Sequence, residues 1–465
     1  MILSVDQGTS STKATLFDQS GTAVTSATVP LGQAHPRPGW VEQDAGEILA
    51  GVRSVVDQMA AAHPVDAVAL STQRESALVW NRATGEPVGP MLGWQDRRTA
   101  HRVAELADHA GRVRQISGLP LDPMFSALKL QWLLDTVDPD RSRSRRGELA
   151  VGTVDSWLVT SLTGDHRIEA GNASRTQLLD LATGEWSEEL CELFDIPREV
   201  LPRVAASDEA TGDVEGLPGR QIRAVLGDSH AALYGHGVRG PGALKATYGT
   251  GSSVMGLVDH AAQVPKGLVG TVAWRLGDRL AVGIEGNILA SGATVAWLSR
   301  LLGRSVEELA AMARTAPADH GVTLVPAVAG LGAPHWDPTA RAVLVGFDLG
   351  TDPGVLARAA MEAIAHQITD VVDAAEAAGP VEAILADGAP AADDFLMQLQ
   401  ADIGGRTVRR PRYSGLSARG AAQLAADTLG GGFTPVDSDT FLPVKVNTTA
   451  RSTWASALSL TQVRD

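Results

Sequence analysis

Short apolar runs alternate with polar turns from the first residues of this chain. Residues 1–5 form an almost continuous apolar run, which predicts a buried strand. Asp6, Gln7, Gly8, Thr9, Ser10 and Ser11 are turn formers, residues 14–17 predict the returning strand, and residues 18–21 predict a second turn. This hairpin is expected at the edge of a sheet. Residues 65–70 predict a strand that ends in the polar cluster 71–76, residues 78–81 resume a strand, and residues 84–87 turn. Amphipathic helices are predicted over 128–134 and 156–162, and a strand over 224–226 runs into Gly227 and Asp228. After residue 236 the opening pattern returns, with a strand over 243–248, a Gly/Thr/Ser turn over 249–253 and a second strand over 254–258. Helices follow over 290–302, 354–378 and 391–403, with a strand over 384–386 that ends in Asp387 and Gly388. One such hairpin in each half predicts two similar α/β lobes, 1–236 and 237–465, facing a cleft in which strand ends hold a ligand.

Composition narrows the function classes. A length of 465 residues accommodates two or three domains with ample core, and 44% hydrophobic content fits a globular α/β protein. A formal net charge of −15 argues against non-specific nucleic-acid or anionic-membrane partners, although a phosphate ligand needs only local positive charge. No apolar run approaches the ~18–20 residues of a membrane span, and no signal peptide is evident. Cys191 is the only cysteine, so no intramolecular disulfide forms; with no basic neighbour in sequence it reads as a buried structural thiol. A cytoplasmic location is the expectation, and a homo-oligomer stays open. The histidines show no metal-ligand spacing, and His230 reads as a satisfied structural histidine.

The polar turns carry candidate chemistry. Backbone N–H groups around Gly8, Thr9 and Ser10 can cradle an anion. Asp6 can hold Mg²⁺ directly or through water, and Lys13 can meet a transferring phosphoryl group. An ATP-using enzyme needs that set, and an ordinary polar hairpin shows it too. Arg74 and Glu75 follow a strand end, where they can donate to and accept from substrate hydroxyls or form a surface ion pair.

Eight blocks together resemble the FGGY carbohydrate kinases. They are Asp6-Gln-Gly-Thr9, Gln73-Arg-Glu75, Trp94-Gln-Asp-Arg-Arg-Thr99, Asn172-Ala-Ser-Arg175, Gly227-Asp228, Thr247-Tyr-Gly-Thr-Gly251, Ala333-Pro-His-Trp-Asp-Pro338, and Asp387-Gly388 with Phe395-Leu-Met-Gln398. The second and third resemble the glycerol kinase branch in particular. The resemblance spans nearly the whole chain and implies an actin-like fold, two RNase-H-like lobes with ATP between them. It implies that Asp228 is the catalytic base, with helix N-capping as the plain alternative. It implies that Arg74, Glu75 and Trp94 hold a small polyol or sugar, with core packing as the alternative for Trp94. Thr250 and Gly251 would face the phosphates. Gly292, Gly388 and Ala389 resemble adenosine-binding turns, with helix-packing relief as the alternative for Gly292.

Departures from the family pattern bear on the acceptor. Met124 replaces a tyrosine, Ser229 a glutamine and Ser253 an aromatic residue; in the adenosine region Ala296, Ala389 and the pair Asp393-Asp394 replace Gln, Gly and Asn-Asn. The acceptor pocket loses an aromatic clamp and a phenol and gains room, so an acceptor larger than glycerol is expected. The region around residues 218–222 offers no clear counterpart of an allosteric sugar-phosphate loop. A ketose kinase of the xylulose or ribulose type and an actin-like ATPase or sensor without kinase activity are the rival readings.

Overall fold

A computed structural model gives the fold and describes residues 1–445 and 448–461. The first sheet is built from β1 (Ile2–Gln7), β2 (Ser11–Phe17), β3 (Ala23–Pro30), β4 (Ala67–Thr72) and β5 (Leu217–Gly227), with a short edge strand at Asp213–Val214. Its order is Asp213–Val214, β5, β4, β1, β2, β3. β4 is parallel to β1 and to β5, while β1–β2 and β2–β3 are antiparallel. The opening hairpin therefore lies inside the sheet, not at its edge. β1 is buried on both faces, as an apolar run in a parallel arrangement requires, whereas β3 exposes alternate residues and is the edge. The polar turn concealed this, because a turn reports where a strand reverses and not which strands flank it.

The second half repeats the plan. β6 (Ala243–Tyr248), β7 (Ser252–Val258), β8 (Val269–Leu276), β9 (Arg279–Ile288), β10 (Ala383–Asp387) and β11 (Thr407–Pro411) form a sheet in the order β8, β9, β7, β6, β10, β11, closed by Ser438–Phe441. β6 pairs antiparallel with β7 and parallel with β10, as β1 does with β2 and β4. The long helix Pro353–Ala375 lies against this sheet; Asp352 caps it through the Val355 N–H, and proline opens it.

Helix Leu416–Thr428 belongs to the second half by sequence, yet it packs on helix Asp228–Gly235 and on β1, β4 and β5 of the first sheet. A Cβ at Gly420 would lie 1.8 Å from the Ala231 carbonyl oxygen, so only glycine permits this crossing. An apolar cluster that includes Phe17, Leu226, Met255, Leu257 and Leu424 spans the two lobes there. A further four-stranded sheet and the helices Ser126–Val137 and Val154–Thr163, both as the periodicity predicts, extend the first lobe and carry Trp94 and Met124. Among the described residues, no helix is long and apolar enough to cross a membrane.

Candidate active site

The carboxyl ends of β1, β4 and β5 line up side by side, with Asp6 opposite Ser71 and Gly227 opposite Thr72. Such an edge collects side chains at the mouth of a crevice. Asp6 Oδ1 accepts from Ser71 Oγ at 2.7 Å. Burial raises the Asp6 pKa to about 6; the Asp228 carboxylate adds to this, while Ser71 and Lys13 oppose it. Lys13 is exposed and stands opposite Asp6 in the hairpin register. The Gly8–Ser10 turn is closed by the Gly8 N–H donating to the Ser11 carbonyl at 3.0 Å. Trp94 Nε1 donates to Thr9 Oγ1 at 3.0 Å, and the residue is 38% exposed, so Trp94 is not core.

Asp228 begins helix Asp228–Gly235, but the capping position is Gly227 and no side chain caps the helix. The Asp228 carboxylate is 40% exposed, pairs with Arg74 Nε at 3.2 Å and accepts from the Ser229 N–H at 2.6 Å. The carboxylate is therefore partly exposed and keeps free accepting capacity beyond its contacts with Arg74 and the Ser229 N–H. Arg74 does not pair with its neighbour Glu75. Its Nη2 donates to Ser229 Oγ at 3.2 Å and to Glu285 Oε1 at 3.2 Å, and its Nη1 donates to Glu285 Oε2 at 3.4 Å. Glu75 adopts φ 63°, is nearly buried, and accepts from Arg175 Nε at 2.6 Å. Lys129, buried, donates to the Glu75 carbonyl at 3.3 Å and to the Met124 carbonyl; burial lowers its pKa to about 7. The Arg74–Glu75 surface ion pair suggested by their adjacency does not form, because the left-handed backbone at Glu75 turns the two side chains to different partners.

Ser229 and Ser253, two of the three residues that depart from the family pattern around the expected acceptor site, converge on one ion pair. Ser253 Oγ donates to Glu285 Oε1 at 3.2 Å, the same oxygen that Arg74 holds. Met124 packs against the buried cluster of Leu119, Phe125 and Val269, as Trp336 does. His230 is fully buried, and among the described residues neither ring nitrogen finds a hydrogen-bond partner, so it is not the satisfied histidine the sequence suggested. Burial, with Arg74 and Arg175 adding, holds its pKa well below the usual imidazole value, which leaves the ring neutral. Cys191 is buried and its thiol is pushed up to about 11, by burial first; Arg198, seven positions on, opposes the shift.

The second lobe assembles the other candidate group around the β6–β7 turn. The Gly292 N–H donates to the Gly249 carbonyl at 2.9 Å, and Ser291 and Ala293 donate to the Thr250 carbonyl. This docks helix Gly292–Leu302 end-on behind Thr250 and Gly251. A Cβ at Gly292 would lie 2.7 Å from Gly249 O, so this glycine permits the turn itself to pack. Gly388 adopts φ 90°, and a Cβ there would lie 2.0 Å from Tyr248 O. Thr250, Gly251, Gly292, Gly388 and Ala389 thus share one neighbourhood. Asp393 caps the following helix through the Phe395 N–H and pairs with Arg314. Among the described residues, no cluster of three His, Cys, Asp or Glu forms a self-contained metal site. A magnesium ion held by one carboxylate, phosphates and water needs none, and Asp6 beside Asp228 suits such an ion.

Arg175 and Glu285 were given no role by sequence reasoning. Arg175 lay in a recognised block without an evident partner. Glu285 is the lone acid of β9, following the apolar run 280–284, and only its burial signals a role.

Residues 1–219 match the N-terminal domain, and residues 244–428 the C-terminal domain, of the FGGY family of carbohydrate kinases. The chain belongs to this family. A glycerol kinase of Alkalilimnicola ehrlichii is 45% identical over 452 residues, covering 92% of this chain and 90% of its own. One from Citrifermentans bemidjiense is 43% identical over 441 residues, covering 91% and 89%. Among solved structures, Plasmodium falciparum glycerol kinase with ADP superposes with a TM-score of 0.93 at 26% identity, covering 100% of this chain and 98% of its own. A ligand-bound xylulose kinase from Lactobacillus acidophilus has a TM-score of 0.88 at 22% identity, covering 99% and 96%, and shows the shared fold. The paired sheets are thus the actin-like two-lobe architecture of FGGY kinases, and the protein is an ATP-dependent carbohydrate or polyol kinase of glycerol kinase-like type.

Proposed function

We propose that this kinase moves the γ-phosphoryl of Mg·ATP to a primary hydroxyl of a polyol or small sugar longer than glycerol. The observation that carries the acceptor site is Asp228: a carboxylate at a strand end, partly exposed and paired with a largely buried arginine whose other contacts include Ser229. Asp228 accepts the proton of the attacking hydroxyl, which costs little when the acceptor oxygen lies within hydrogen-bond reach. Arg74 and Glu75 read neighbouring hydroxyls, and Trp94 offers its ring to the carbon chain. Asp6 holds Mg²⁺, which would neutralise charge on the phosphates. Lys13 and Thr250 contact the transferring group, and the Gly388–Ala389 turn with Gly292 receives the adenosine.

The size of the acceptor rests on Met124, Ser229 and Ser253. The two serines leave hydroxyls in place of larger groups, and both converge on the Arg74–Glu285 pair, where an additional substrate hydroxyl finds donors and an acceptor. Each further methylene buried is worth about 0.8 kcal/mol. The high identity to glycerol kinases supports the polyol branch over a ketose acceptor. A coupled ADP-release assay over glycerol, erythritol, threitol, the pentitols and the ketopentoses tests the proposal. A four- or five-carbon polyol with the highest kcat/KM supports it. Glycerol clearly ahead refutes the size argument, and ADP release independent of any acceptor refutes the acceptor site.

A further inference from the structure

Five charged groups form one chain across the cleft, alternating in sign: Asp228, Arg74, Glu285, Arg175, Glu75. The successive ion-pair separations are 3.2, 3.2, 2.8 and 2.6 Å. The Arg175 Nη1 contact with Glu285 Oε2 is an ion pair without hydrogen-bond alignment. Four of the groups belong to the first half of the chain. The fifth and central one, Glu285, lies on β9 of the second sheet. Its side chain is 1% exposed. Burial would raise its pKa, but Arg175 and then Arg74 hold it well below the usual carboxylate range, so it is ionised at neutral pH.

This arrangement constrains the acceptor-reading residues. A guanidinium is a planar fork, and a carboxylate on each side fixes both its plane and its rotation. Arg74 has Asp228 on its Nε and Glu285 on both terminal nitrogens, so it presents one orientation to the cleft. A Cβ at Gly227 would lie 2.7 Å from Arg74 Cδ, so the backbone beside Asp228 is also shaped around this side chain. On the other side, Glu285 holds Arg175, and Arg175 holds the carboxylate of Glu75. Ser253 adds a third donor to Glu285 from the neighbouring strand β7.

We infer that Glu285 is a positioning residue for the acceptor: a carboxylate supplied by the second lobe that sets Arg74 directly and Glu75 through Arg175, so that the acceptor site is complete only when the two lobes are together. The inference rests on the reading of Arg74 and Glu75 as acceptor-binding groups. Without the Glu285 carboxylate, Arg74 turns toward Asp228 and Arg175 toward Glu75, and both acceptor contacts lose their aim.

Steady-state kinetics of wild type, Glu285→Gln, Glu285→Asp, Arg74→Ala and the Arg74→Ala/Glu285→Gln double variant test it, with acceptor and ATP varied separately and melting followed in parallel. Glu285→Gln should lower kcat/KM for the acceptor by roughly 10- to 100-fold, the scale of a lost hydrogen bond to a charged group, while the ATP KM stays within about threefold. Glu285→Asp, with its charge drawn back by one methylene, should fall between. The double variant should lose less than the two single losses multiplied together, because the part of the effect that passes through Arg74 is already gone and only the part through Arg175 and Glu75 remains. Acceptor kinetics within about threefold of wild type, or acceptor and ATP KM rising together with a lowered melting temperature, would overturn the positioning role in favour of a plain strut. If Glu285→Gln does not fold, Glu285→Asp is judged by the same criteria. A wild type active on the acceptor panel with an unaltered variant overturns this inference alone; a wild type inactive on every acceptor overturns the acceptor reading and the inference with it.

Discussion

Replacing Asp228 with Asn removes a charge and almost no volume, so fold and chemistry should respond very differently. The side chain is 40% exposed, its ion pair with Arg74 spans 3.2 Å, and an Asn oxygen can still accept from the Ser229 N–H. At that exposure the ion pair is worth about 0–1 kcal/mol. The lost negative charge in the first turn of helix Asp228–Gly235 costs about 0.3–1 kcal/mol more. Arg74 keeps Glu285, so no buried charge is stranded. Together these terms stay near 2 kcal/mol or below, and the melting temperature should drop by a few degrees at most. Loss of the general base, by contrast, costs ~10²–10⁴ in rate, or about 2.7–5.4 kcal/mol in the barrier. The assay is ADP release at saturating ATP and acceptor, with ATP KM and thermal melting on the same preparation. The expected outcome is a collapse of kcat with ATP binding and melting nearly intact. Turnover within a few-fold of wild type, or a rate loss matched by a large loss of stability, refutes the base assignment.

Arg74→Ala should sharply reduce kcat/KM for the acceptor and also destabilise the protein. Breaking a buried pair costs up to ~3–5 kcal/mol, less here because Glu285 keeps Arg175 and Ser253; selective loss of ATP affinity would place Arg74 in the wrong half of the cleft. Asp6→Asn should abolish Mg²⁺-dependent turnover and yet raise stability at neutral pH. Burial pushes the folded carboxyl up to about 6 from its ordinary value of 3.8, so its ionisation costs stability as pH rises from about 4 to 6. The gain should fade below about pH 4, and unchanged activity with a lower melting temperature at pH 7.5 would contradict the assignment. The Ser229→Gln/Ser253→Phe double variant should shift acceptor preference toward glycerol in the polyol panel; an unchanged ranking would show that these positions do not set acceptor length.

Local pattern was enough for the elements and for a set of candidate site residues. Strands at both hairpins, the helices after residues 290 and 353, and the turns at Gly8, Gly249 and Gly388 all follow from runs of apolar residues punctuated by Gly, Asp, Ser and Thr. Such signals arise from nearest-neighbour chemistry and survive without the rest of the molecule. The repeat of one hairpin in each half carried the two-lobe plan for the same reason. Asp6 and Arg74 stand at strand ends, where side chains can face a crevice, whereas the roles of Thr250 and Asp228 came from the resemblance of their blocks to the FGGY kinases.

Only the tertiary structure decided what those residues touch. The opening hairpin became interior because β4 and β3 flank it, a pairing made by segments at widely different distances in sequence. Helix Leu416–Thr428 crossed to the first sheet because its glycine could meet helix Asp228–Gly235 at backbone contact. Arg74 and Glu75 parted because Glu75 takes a left-handed backbone, a state stabilised by buried contacts from Lys129 and Ser126 that lie 54 and 51 residues away. Glu285 is the clearest case. In sequence it follows an apolar run, and in the fold it balances two arginines that are 211 and 110 positions away. Apolar periodicity is a property of one segment, whereas the balance of buried charge belongs to all segments that meet at a point.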